Sequence, residues 1–83
     1  SSDNARDFSA SIIARSDMPL SDDDQAAVLD QMIGDPNMFV RFWLASALYK
    51  RGNRDPKVVA AWKEVCRQDN TPAGKFARGL KAN

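Results

Sequence analysis

Apolar residues recur along this chain at intervals of three and four, and polar punctuation divides them into five segments. Ala5, Phe8 and Ile12 share one face of a helix predicted over 3–15, the face expected to be buried. Pro19, within the stretch 16–20, ends that segment. A second helix is predicted over 22–33. Ser21 is its cap, Asp22, Asp23 and Asp24 suit the positive end of its dipole, and Val28, Leu29, Met32 and Ile33 form its stripe. Gly34 is expected to end it in the left-handed conformation.

The third helix is predicted over 36–51, with Asp35 as cap and Pro36 at the first helical position, where a missing N–H costs nothing. Phe39, Val40, Phe42, Trp43, Leu44, Ala45, Ala47, Leu48 and Tyr49 surround most of its circumference, the pattern of a central, buried helix. Gly52 ends it. The fourth helix, over 56–67, repeats the start with Asp55 and Pro56 and carries Val58, Val59, Trp62, Val65 and Cys66 on one stripe. The fifth, over 72–81, starts at Thr71 and Pro72. Ala73, Phe76, Ala77 and Leu80 form its stripe, with Lys75, Arg78 and Lys81 turned away.

No segment alternates with period two, and no Asn-Gly or Asp-Gly hairpin signal occurs. The expected fold is therefore all-α, an antiparallel bundle of four to five short helices in a single domain, 1–83. Residues 1–20 supply an N-terminal helix and loop, 21–52 a first helical hairpin and 53–83 a second. Trp43, Leu44, Leu48 and Trp62 are expected in one core.

A repeat underlies this division. Asp-Pro pairs stand at 35–36 and 55–56, and Leu44 with Phe76, Ala45 with Ala77 and Leu48 with Leu80 recur at a longer, common interval. Residues 35–48, D-P-N-M-F-V-R-F-W-L-A-S-A-L, resemble the second-helix motif of HEAT-type repeats through Asp35, Pro36, Val40, Arg41, Ala45, Ala47 and Leu48. The resemblance implies two HEAT-like hairpins, with the aspartate and arginine tying neighbouring repeats by hydrogen bonds. It also implies a scaffold that binds proteins or, in some members, nucleic acid. Phe42, Trp43 and Leu44 are bulkier than the family's pattern, and the second unit, T-P-A-G-K-F-A-R-G-L, lacks the Val-Arg pair.

Composition adds boundaries. With 43% hydrophobic and 28% charged residues the chain is globular in character. A lone cysteine, Cys66, forms no internal disulfide and reads as a structural thiol on the fourth stripe. That fits a reducing compartment, so the cytoplasm is expected, with a removed leader left open by the start at Ser1. No apolar run approaches the roughly 20 residues of a membrane span, so no membrane partner is expected.

Without histidine, Ser-His and Cys-His nucleophile pairs are excluded, no zinc site is expected, and no glycine-rich phosphate loop occurs. The expectation is a protein that is not an enzyme and that needs no cofactor or metal; the run Asp22–Asp24 is explained by the helix dipole. Net charge is +1, yet residues 1–40 carry eight acids and two bases while residues 41–83 carry ten bases and three acids. This points to a protein-interaction or regulatory module with another protein as partner. Phe39, Trp43 and Tyr49 are its candidate apolar contacts, and Arg67, Lys75, Arg78 and Lys81 its basic ones. The alternative is a nucleic-acid-binding module using the basic C-terminal helices. Monomer and homodimer are both open.

Overall fold

The computed structural model describes residues 2–68 and 70–80. Five helices follow one another: α1 (Asp3–Arg15), α2 (Asp22–Gly34), α3 (Met38–Lys50), α4 (Pro56–Cys66) and α5 (Pro72–Leu80). No strand occurs among the described residues, and the architecture is an all-α bundle.

Local chemistry sets most boundaries. Ser2 caps α1 by accepting the Ala5 N–H, Ser21 caps α2 through Asp24, and Asp55 caps α4 through Lys57 with Pro56 just inside. Thr71 Oγ1 accepts the Gly74 N–H in the first turn of α5. At the far end of α3, Gly52 has φ +87°, so the Gly52 and Asn53 N–H groups turn back onto the Tyr49 and Leu48 carbonyls. That pair of bonds is a Schellman motif, and it needs a residue without a Cβ penalty at its left-handed position.

Two expected boundaries differ. Asp35 does not cap α3: Asn37 does, its side chain accepting the Phe39 and Val40 N–H groups, and Pro36 lies outside the helix. In the run Asp-Pro-Asn both acid and amide suit the cap, and the later one takes it because Asp35 is engaged elsewhere. Gly34 is the last helical residue of α2 rather than a left-handed stop, and Asp35 forms the C-cap in extended backbone.

The core is organised around α3, which packs against α1, α2, α4 and α5, while α4 and α5 also pack on each other. Val40, Leu44, Ala45, Ser46, Ala47 and Leu48 are almost wholly buried, as the all-round apolar pattern of this helix requires. Trp43, Leu44, Leu48 and Trp62 belong to one cluster with Val58, Val65, Ala73 and Ala77. Trp62 also donates its indole N–H to the Ala77 carbonyl, which joins α4 to α5. Cys66 is half-buried against the same cluster.

The first helix departs from expectation. Its buried residues are Ala10, Ser11 and Ala14, whereas Phe8 is 67% and Ile12 52% exposed, and Ala5 is exposed. The apolar face read from the sequence points outward. Small residues face α3, where Trp43 supplies the bulk beside α1, and small side chains let the helices approach closely.

Besides Ile13, which is half-buried against the core, polar ties hold α1. Near its start Arg6 donates to both Asp35 carboxylate oxygens, at 3.1 and 3.3 Å, while Arg41 donates to the Asp35 carbonyl at 2.6 Å. At its end Lys50 Nζ donates to the Ala14, Arg15 and Ser16 carbonyls, and Arg51 donates to Ser16 and Met18. The start of α1 thus lies by the start of α3 and its end by the end of α3. The two helices run in the same direction, with α2 returning between them in sequence.

Candidate functional site

Arg6 and Asp35 hold the N-terminal part of α1 beside the entry to α3. The Arg6 guanidinium and the Asn37 N–H bind the Asp35 carboxylate and hold it below the usual aspartate range, and Arg6 is raised in turn. Asp35 is buried, so this pair fixes a corner from which Met38 and Phe39, in the first turn of α3, project to different sides.

On one side, a groove of about 330 Å³ runs between α1, α3 and the start of α5. Asn4, Asp7, Phe8, Ser11 and Arg15 line it from α1. Their spacing of three and four makes a continuous ridge about 16 Å long at 1.5 Å per residue. Phe39 and Trp43 form the opposite wall, and Pro72 and Ala73 close it from α5. Phe39 is 41% exposed and contacts Phe42 edge-on, with ring centroids 6.4 Å apart. Two exposed phenylalanines from different helices therefore border one groove.

The groove is also electrically ordered. Asp7 Oδ1 is buried and accepts no hydrogen bond among the described residues. Two turns on, the Arg15 guanidinium lies 4.8 Å from the centroid of the Trp43 ring, a cation–π contact, and its N–H groups make no hydrogen bond among the described residues. An acid stands toward one end, a base at the other, and aromatic surface between them.

On the other side, Met38 opens into a smaller cleft of about 250 Å³ between α2, α3 and α4, with Met32 and Phe42 as apolar wall and Arg41 and Glu64 among its polar lining. Ile33 and Met38 are exposed.

Of the contact residues read from the sequence, Phe39 and Trp43 come together on this groove, and Tyr49, Arg67, Lys75 and Arg78 do not line it. Phe39 is exposed on the groove, but Trp43 is 4% exposed and is wall rather than contact. Tilted against Phe76 and covered by Arg15, it has no free face to offer. Tyr49 is half-buried, stacked on Trp62 at 3.9 Å with its other face under Arg54 at 3.7 Å. It belongs to the α3–α4 packing. Arg67 is exposed on the turn after α4 and paired with Glu64, and Lys75 and Arg78 are exposed on α5. Lys81 lies outside the described residues. Asp7, Phe8 and Arg15 line the groove without being among those contact residues, since the apolar spacing that includes Phe8 predicts burial.

No helix among the described residues is long and apolar enough to cross a membrane, and none of their acids and cysteine form a group of three or more placed for a metal. Comparison with protein-family models, with curated proteins and with solved structures returned no match.

Proposed function

We propose that this chain is a non-catalytic protein-interaction module that engages a partner protein through the groove between α1, α3 and α5. The observation that carries the reading is the exposure of Phe8 and Phe39 on opposite walls of one groove. Apolar side chains left in water at a concave surface gain free energy only when something covers them, and interface anchors are of this type. The HEAT-like motif of residues 35–48, in a family of binding scaffolds, is consistent with the same role.

Site-specific photo-crosslinking tests it. A benzoylphenylalanine at position 8 or 39 is expected to capture the same protein from the native source, and one at Asp23, on the exposed start of α2, is not. Equal capture from all three positions overturns the reading. Recovery of nucleic acid from a crosslinker at Lys75, with affinity falling steeply in salt, replaces it with the nucleic-acid reading.

A further inference from the structure

We infer that the groove takes an amphipathic helix of the partner protein, lying antiparallel to α1 and carrying an acidic residue near its N-terminus and a basic one about two turns later. This deepens the interaction reading above and rests on it; what is new is the form, direction and charge order of the occupant.

Length comes first. The α1 ridge from Asn4 to Arg15 offers about 16 Å, the length of a three-turn helix. A helix laid in a groove contacts it through residues three and four apart, so two apolar side chains at i+3 and i+4 would meet Phe8 and Phe39.

Charge sets the direction. Asp7 and Arg15 are eight residues apart on α1, about 12 Å along its axis. A partner that satisfies both needs a cation opposite Asp7 and an anion opposite Arg15, separated by about two turns. Among helices, those with acid first and base last are favoured by their own dipole. Such a helix places its C-terminal base at Asp7 and its N-terminal acid at Arg15 only when it runs antiparallel to α1. In that direction its macrodipole also opposes that of α1, which is favourable. The Asp7 carboxylate, which lines the groove, then gains a cation opposite it, and the Arg15 guanidinium gains an acceptor without leaving Trp43.

Two synthetic alanine-rich helical peptides serve as probes. One has glutamate at i, leucines at i+3 and i+4 and lysine at i+7; the other has glutamine at both charged positions. The charged peptide is expected to bind the intact chain about three- to tenfold more tightly at low salt, the range of partly exposed ion pairs. It should shift the amide resonances of Phe8, Phe39 and Ala73. A nitroxide at the peptide's C-terminus should broaden Asn4 and Asp7, and one at its N-terminus should broaden Arg15. The variant Asp7→Asn/Arg15→Gln should bind both peptides equally; it keeps side-chain size, and Arg15→Gln alone repeats half the test should the double variant melt early. Equal binding of the two peptides by the unaltered chain, or the opposite broadening pattern, overturns the charge-ordered helix while leaving the crosslinking result at Phe8 and Phe39 standing. Absence of binding by either peptide overturns the helix-in-groove assignment as well.

Discussion

The two ends of α3 contrast. At the C-terminal end the cations and the turn are tied into the fold: Lys50 and Arg51 gather the last carbonyls of α1, the Gly52 turn returns N–H groups to Tyr49 and Leu48, and Asn53 donates to Gln25 of α2. At the N-terminal end Asp35 makes a comparable polar corner with Arg6 and Asn37, yet Met38 and Phe39 stand exposed beside it, with Phe8 across the groove. One helix thus has a closed end and an open one. Cations at helix C-termini satisfy carbonyls and complement the dipole, so closure there stabilises the fold. Exposed aromatic surface contributes nothing comparable to folding, which is why the open end is where a binding role is sought.

The contrast is sharpened first at the closed end. Leu48, fully buried below the Gly52 turn, should cost about 2–5 kcal/mol when changed to alanine, read from urea denaturation. A loss under about 1 kcal/mol would mean that this end is not tightly packed. Away from that end, at the start of α5, Gly74→Ala should destabilise by about 1–3 kcal/mol, because a Cβ there would collide with the Gln68 carbonyl in the turn leading into the helix. A melting temperature unchanged by this substitution would show that the turn yields freely.

Lys50→Met keeps the stem and removes the donors to three carbonyls and the ion pair with Asp17. The expected loss is about 1–2 kcal/mol, with faster hydrogen exchange confined to α1. Exchange that rises equally in α4 would deny that the clamp acts on α1.

At the open end the test is acid. The Asp35 carboxylate is held below its ordinary pKa, so its contribution is fully present above the unfolded value and is lost as pH falls through the depressed folded one. Melting temperature should therefore fall more steeply below pH 4 in the unaltered chain than in Asp35→Asn. Parallel curves for the two would show that the corner has no electrostatic role. The smallest effect is expected at Phe8→Ser, within about 0.5 kcal/mol of the unaltered chain, since the side chain is mostly in water. A loss of several kcal/mol would place Phe8 in the core and remove the open end altogether.

Existence and order of the helices were determined by the chain itself. Periodicity, the caps at Ser21, Asp55 and Thr71, Pro56 just inside α4 and the Gly52 stop are local signals, each acting within a few residues of backbone. The centrality of α3 was equally legible, because a helix apolar on nearly every face has no stable place except the middle. Tertiary structure alone decided which way α1 turns. Its wheel carries a large apolar face and a small-residue face, and Ala10 and Ala14 win the contact because α3 supplies the bulk there. It also decided that Asp35 serves Arg6, 29 positions away, leaving the cap to Asn37. Similarly, it sealed Trp43 and Tyr49 under Arg15 and Arg54 while leaving Phe39 exposed. Apolar spacing states that a face will be covered; whether the cover comes from this chain or from a partner depends on how much volume the other helices bring to the same place, and no local pattern records that sum.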